Sequence, residues 1–237
     1  MTAQQLKNSI LNLAISGKLV PQDPHDEPAS KLVEKIRKEK DKLIKEKKIK
    51  PSKFDSVIFK GEDNLHYEKI GKETRCIEDE IPFEIPQSWS WVRLGKAIVL
   101  ISGQDLTPDR YSNINKGIPY ITGASNIENE NVECSRWTIS PTSIAYSGDL
   151  LLTCKGTVGK MAFLKHNQAH IARQIMAIKT PYGINLYYIK LFLEVFMPKI
   201  KSVAKSMIPG ISRDDLLSIL LPIPPLSEQK RIVDKLE

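Results

Sequence analysis

The chain is poor in cysteine: Cys76, Cys134 and Cys154 are the only three in 237 residues, and no two form a Cys-x-x-Cys pair. An odd, scattered set excludes a disulfide framework and gives no zinc or redox-couple spacing, so all three are read as free thiols. Long apolar runs are missing as well. No stretch approaches the ~20 residues that span a bilayer, and Met1-Thr-Ala-Gln-Gln has neither the basic start nor the apolar middle of a secretory signal. A soluble, cytoplasmic protein with no membrane partner is expected. Catalytic signatures are equally scarce. There is no Asn-Pro-Pro-Tyr, no glycine-rich cofactor motif and no convincing carboxylate-lysine nuclease cluster. His166-Asn-Gln-Ala-His170 has metal-like spacing but lacks the Glu beside its first histidine that a zinc protease uses, so two unconnected surface histidines are expected. The prediction is no catalytic residue, no cofactor and no metal.

What the sequence does have is positive charge and an adequate core. Lys and Arg number 35 against 28 Asp and Glu, giving a net charge of +7, and 41% of residues are hydrophobic. This balance admits a polyanionic partner, with nucleic acid the leading candidate. The stretch Leu151-Leu-Thr-Cys-Lys-Gly-Thr-Val-Gly-Lys-Met161 tests the idea. A phosphate-binding nucleotide loop needs four residues between its glycines and then Lys-Ser/Thr. Here Thr157 and Val158 alone separate Gly156 from Gly159, and Met161 stands where the hydroxyl belongs. The nucleotide loop is rejected. Two readings survive: an ordinary β-turn with solvated lysines, or a glycine turn that presents Lys155, Lys160 and backbone N–H groups to an anion.

Two helices are predicted at the start. Leu6, Ile10, Leu13 and Ala14 share one face of a helix over residues 4–16, and Gly17 stands at its C-terminal cap. A connector with three prolines runs to Pro28, and from Ala29 to about residue 47 Leu32, Val33, Ile36, Leu43 and Ile44 recur at helical intervals. The charged run over residues 35–53 reads as a solvated helix face, with DNA contact as the alternative. From about residue 78 the pattern changes to short strands: around Trp89–Gly95, then Ile98–Ile101, Gly117–Thr122, Asp149–Thr153, Gly159–Leu164 and Ile175–Thr180. A helix over Asn185–Phe196, a short helix or turn at Gly210–Leu217, a strand at Ile219–Ile223 and a helix capped by Ser227 complete the reading.

Pro222-Ile-Pro-Pro-Leu-Ser-Glu-Gln-Lys-Arg-Ile-Val233 resembles the specificity (HsdS) subunit of Type I restriction-modification enzymes, in which a proline-rich strand exit precedes Glu-Gln and a long helix. Four further pieces resemble that family in the same order: Leu6-Lys-Asn-Ser-Ile-Leu with Gly17-Lys-Leu-Val-Pro-Gln22, Ile85-Pro-Gln-Ser-Trp-Ser-Trp-Val-Arg-Leu-Gly95, Gly117-Ile-Pro-Tyr-Ile121, and Gly148-Asp-Leu-Leu-Leu152 with its Gly156-Thr-Val-Gly159 loop. The resemblance implies target recognition domains that each read half of a bipartite duplex DNA site, and helices that act as a ruler and dock modification subunits. Those partners methylate adenine with S-adenosylmethionine, and a restriction subunit translocates and cuts the DNA; the specificity subunit does no chemistry. The chain departs from the family in carrying one recognition domain where the full subunit has two, as a half-sized subunit or a fragment would. Self-association through the helices, a homodimer, is the corresponding possibility.

The fold expected is α+β: a helical and connector segment at 1–60, a β-rich target recognition domain at 78–225, and the start of a docking helix at 226–237. Base reading needs amide, guanidinium or hydroxyl side chains, and phosphate contact needs cations and backbone amides. Gln104, Asn126 and Gln174 are candidates for adenine, and Arg110 and Arg173 for guanine, with Lys116, Thr122, Lys155, Thr157 and Lys160 as further contacts. Asn126 and Asn129 also read as turn formers, and Tyr111, Tyr120 and Trp137 as packing aromatics. Arg173-Gln174 resembles the family's Asn-Gln strand start with Arg in place of Asn. The rival readings are an independent DNA methyltransferase or nuclease, and a scaffold or decoy that binds modification subunits without DNA.

Overall fold

The computed structural model describes residues 2–47, 52, 54–180, 182–203 and 210–236; the end of the charged run, at 48–51 and 53, lies outside them. Among these residues no helix is long and apolar enough to cross a membrane. Two compact units form: Met1–Ile98 with Thr180–Val195 and Leu217–Glu237, and Val99–Lys179 with Phe196–Leu216. This differs from the consecutive ranges expected, because strands far apart in the chain pair with one another.

In the first unit, α1 (Ala3–Ile15) is opened by a reciprocal cap between Thr2 and Gln5. It is closed by Gly17 at φ +72, where Lys18 N–H bonds back to the Leu13 carbonyl. A side chain at Gly17 would also fall 2.4 Å from Pro86, so packing and backbone both require glycine. In α2 (Ala29–Lys45), Ala29, Leu32, Ile36 and Lys40 are buried. Lys40 is not part of a solvated face: its ammonium donates to Asp55 at 2.8 Å and to the Gly95 carbonyl at 3.1 Å. Next comes an antiparallel sheet that the sequence reading left unassigned, β1 (Val57–Lys60), β2 (His66–Ile70) and β3 (Glu73–Cys76). β1 is an unbroken apolar run of three residues while β2 and β3 are mostly polar, so none shows the alternation that marks a strand. Then β4 (Ser90–Arg93) runs into a single helical turn, α3 (Leu94–Ala97).

The second unit is β-rich. Its strands are β5 (Val99–Ser102), β6 (Ile118–Ile121), β7 (Ile127–Glu128), β8 (Asn131–Val132), β9 (Trp137–Thr138), β10 (Ile144–Tyr146), β11 (Leu150–Thr153), β12 (Met161–Phe163), β13 (Gln168–Ile171) and β14 (Ile175–Lys179). They make two four-stranded sheets, in the orders β10-β13-β6-β9 and β12-β11-β14-β5, and the two-stranded β7-β8. The expected strands at 117–122, 149–153, 159–164 and 175–180 are present within one or two residues. Ile121, Ala145, Leu151, Leu164, Ile171 and Ile175 are among the side chains that fill the core. His170 lies in β13 and is fully buried, so it is not the surface histidine expected; His166 is exposed.

The chain continues through α4 (Leu186–Val203), α5 (Arg213–Leu217), β15 (Leu220–Ile223) and α6 (Leu226–Leu236). In the first unit β15 pairs antiparallel with β4, setting Pro222 opposite Trp91. Leu226 is the first residue of α6, so Ser227 is its second residue and not the cap. The Glu-Gln pair that follows is buried. Glu228 accepts from the Trp89 indole at 2.9 Å and from Gln22, while Gln229 accepts from Asn185 N–H and donates to the Pro224 carbonyl, each at 2.9 Å. Arg231 forks onto Asp26. The helix is thereby anchored on the connector between the first two helices and on the Trp89 turn.

Candidate nucleic-acid interface

Four loops of the second unit interlock through their backbones. Gly103 and Gln104 donate to the carbonyls of Ile175 and Ile171, Cys154 donates to that of Gln174, and Arg173 N–H reaches the Asp105 carboxylate at 3.1 Å. Gly103 packs so closely that a Cβ there would fall 2.1 Å from the Ala172 carbonyl oxygen. Gly123 leaves the space that the Gln174 side chain occupies. The loops around 103–106, 122–126, 154–160 and 172–174 thus share one edge of the unit.

The candidate residues on that edge divide by what their polar atoms already do. Gln104, Lys155, Thr157 and Gln174 are exposed, and their side chains make no hydrogen bond among the described residues. Arg173 is exposed but engaged: its Nε lies 2.8 Å from Asp105 Oδ2. That pairing uses one side of the guanidinium and leaves the Nη1–Nη2 edge that a guanine contact needs. Asp105 went unnoticed in the sequence because a lone carboxylate in a basic chain carries no signal.

Asn126 and Lys160 are corrected by the structure. The Asn126 side chain is buried, accepting from Thr122 N–H, Thr122 Oγ1 and Gly123 N–H and donating to the Glu133 carbonyl. Its amide is spent on holding the turn, which is the turn-former reading. Thr122 spends its hydroxyl on the same amide. Lys160 reaches back so that its ammonium donates to the carbonyls of Ala124 at 3.0 Å and Ile127 at 2.8 Å. It straps two loops together, which commits two of its three N–H donors and fixes where its charge sits. In the same loop the Thr153 hydroxyl donates to the Thr157 carbonyl and accepts from Lys160 N–H, and Gly159 N–H closes on the Thr153 carbonyl, so two of the N–H groups expected to face an anion are used internally.

Lys116 lies apart from this edge, and Arg110 is tied to a different segment. Lys116 precedes β6 whereas Thr122 follows it, so the four-residue strand, about 13 Å long at 3.3 Å per residue, lies between them. Arg110 is exposed and its guanidinium donates to the Ser140 carbonyl at 2.8 Å. Behind them Tyr120 is buried against Tyr111 and His170, with Arg136 over the Tyr111 ring at 5.1 Å. Tyr120 therefore packs, as expected of such aromatics. Among the described residues no three His, Cys, Asp or Glu side chains converge as a metal site would require. Burial pushes the Cys134 thiol up to about 11 and raises that of Cys154 as well, so neither is a ready nucleophile.

A family profile described as the Type I restriction modification DNA specificity domain matches residues 92–237. The chain belongs to this family. Among curated relatives, the specificity subunit of the Type I restriction enzyme EcoAI from Escherichia coli is 30% identical over 98% of this chain and 39% of its own length. The EcoEI specificity subunit, also from Escherichia coli, is 28% identical over 97% of this chain and 38% of its own. The chain thus spans about two fifths of the length of these relatives. The crystal structure of the HsdS subunit from Thermoanaerobacter tengcongensis superposes with a TM-score of 0.59 at 26% identity, covering 65% of this chain and 38% of that one. A chain from a type I R-M system gives 0.60 at the same identity, covering 65% and 39%. The α+β fold is that of the specificity family, and the matched span contains all four interlocked loops.

Proposed function

We propose that the chain recognises a specific sequence in duplex DNA as the target recognition part of a Type I specificity subunit, directing partner subunits without catalysing a reaction. The observation that carries this reading is the set of unspent polar groups on Gln104, Lys155, Thr157, Gln174 and the outer edge of Arg173, on loops locked together by backbone bonds. Amides and guanidinium on a rigid support are what base edges require, and ammonium groups serve phosphate. Arg110 and Lys116 extend the positive surface. The helices of the first unit, α1, α2 and α6, are the elements we assign to docking modification subunits, which methylate adenine, with a restriction subunit joining the same assembly. A second copy of the chain is the other partner those helices would fit.

The test is selection from a randomised duplex pool by the chain with its modification subunits. A defined motif is expected, and Gln104→Ala should relax choice at one position at a cost of about 1–3 kcal/mol on the preferred site. Absence of any enriched motif would leave a scaffold as the better reading. Cleavage or methylation of DNA by the purified chain with Mg²⁺ and S-adenosylmethionine would make it an enzyme instead.

The two lysines of the Gly156–Gly159 turn should behave differently in a salt titration. Lys155→Ala is expected to weaken binding to every duplex, and to lower the magnitude of the salt slope by about 1, with unchanged melting temperature. Lys160→Ala should lower the melting temperature, since it frees two carbonyls and unties two loops. Equal effects of both variants on slope and melting would show that the strap does not distinguish them.

A further inference from the structure

His170 is a fully buried polar side chain beneath the recognition edge. Its side chain is fully buried in β13, and both ring nitrogens are engaged. Nδ1 lies 3.3 Å from Thr142 N and 3.1 Å from Ser143 N, and Nε2 lies 2.9 Å from the Gln104 carbonyl oxygen. Backbone N–H groups only donate, so Nδ1 accepts from both and the ring proton sits on Nε2, donating to Gln104. The surrounding loop is held in the same way. The Ser143 hydroxyl donates to the Ser102 carbonyl at 2.7 Å, and Leu106 N–H donates to the Tyr120 hydroxyl, whose ring packs on the imidazole. Because Gln104 N–H is tied to Ile171, the backbone of Gln104 is pinned on both sides while its side chain is exposed and makes no hydrogen bond among the described residues.

We propose that His170 is a positioning residue for DNA sequence discrimination: its bonds fix the backbone from which the Gln104 amide reads a base edge. The inference rests on the reading of Gln104 as a base contact. Discrimination by an amide depends on two hydrogen bonds made at once, so a loop free to shift by a fraction of an ångström loses selectivity before it loses affinity. No aliphatic residue would serve, since it would leave the buried Ser143 N–H and the part-buried Thr142 N–H and Gln104 carbonyl without these partners. Burial pushes the imidazole pKa down, which favours the neutral ring that this arrangement requires.

Two substitutions separate the halves of the ring. In His170→Asn the side-chain oxygen occupies roughly the place of Nδ1 but nothing reaches Gln104. In His170→Gln the terminal amide reaches the place of Nε2 and restores the donor. Selection from a randomised duplex pool, with modification subunits present, should show that the Asn variant loses preference at the position relaxed by Gln104→Ala, by roughly 5- to 150-fold. Its affinity for scrambled duplexes should stay within about twofold of the parent, since phosphate contacts are untouched. The Gln variant should retain the preference. An Asn variant that discriminates as well as the parent overturns the proposal, as does an equal loss of affinity on all duplexes in both variants. Nitrogen-15 imidazole spectra of the parent chain supply a measurement that needs no variant: a proton on Nε2 at neutral pH is expected, and one on Nδ1 overturns the assignment. A parent that enriches no motif removes the DNA reading itself, whereas a motif insensitive to Gln104→Ala removes only the base contact and His170 with it.

Discussion

Replacing Arg93 by alanine should destabilise the first unit by about 3–5 kcal/mol, the usual cost of stranding a buried partner charge. The Arg93 guanidinium donates to Glu68 at 2.9 and 2.7 Å, to Glu80 at 2.7 Å and to the Ser218 carbonyl at 2.7 Å. It links β4 to the hairpin sheet and to the segment before β15. Without it the buried Glu68 carboxylate keeps Arg75 as its remaining cation, and Arg75 is half-exposed. Urea unfolding followed by tryptophan fluorescence would measure the loss, because Trp89 and Trp91 are buried in that unit. The double substitution Glu68→Leu with Arg93→Met should recover most of it, since an apolar pair of similar volume leaves no buried charge. A midpoint unchanged in Arg93→Ala would mean that the network contributes nothing net. The network also sets an acid limit. The hydrogen bonds from Arg93, aided by Arg75, hold the Glu68 carboxyl down to about 2 against an ordinary 4.5. Its folded-state pKa is depressed, so its contribution is complete above pH 4.5 and is lost as the pH falls towards 2. Glu68→Gln should flatten the pH dependence of stability within that window.

Leu151→Ala should cost the second unit about 2–5 kcal/mol. Leu151 is fully buried at the centre of β11, and its register neighbours are Ala162 on β12 and Ala177 on β14, both also fully buried. Alanine neighbours have no side chain to swing into the vacated space, so the cavity should persist and the loss should lie near the upper end of that range. Ala177→Leu alone should overpack the same point at about 1–3 kcal/mol, and the two changes together should cost less than their sum. Fluorescence of Trp137, in the same unit, or hydrogen exchange of β11 amides would report the effect. Strict additivity would show that the two positions do not share a packing site. Because β11 runs directly into the loop carrying Lys155 and Thr157, the variant should also lose the proposed DNA discrimination at temperatures where the parent would retain it.

The elements legible in the sequence are those whose signals are local. The first helix is announced by its apolar spacing and Gly17, and the strands around 118–121, 150–153 and 175–179 by short apolar runs between turn residues. The three-stranded hairpin sheet over 57–76 escaped because its strands are short and lack an apolar/polar alternation, and gain their order by pairing with one another. The recognition edge was legible as a class of residues and not as a set of roles. Gln104, Asn126 and Gln174 look alike in one dimension. In three, the side-chain amides of the first and last make no hydrogen bond among the described residues, while Asn126 accepts three hydrogen bonds inside its own turn and donates a fourth to the Glu133 carbonyl.

By itself the sequence determined the fold class, the positive charge that admits DNA, the Gly17 helix stop and several core strands, and the order of motifs that marks the specificity family. The tertiary structure alone decided which polar groups are free to meet a partner. Lys160 is spent on a carbonyl 36 residues away, His170 on one 66 residues away, and Glu228 on an indole 139 residues away. The reason is physical: helix and strand signals arise between residues a few positions apart, whereas a side chain's hydrogen-bonding capacity is settled by whichever distant segment the packed sheets bring against it.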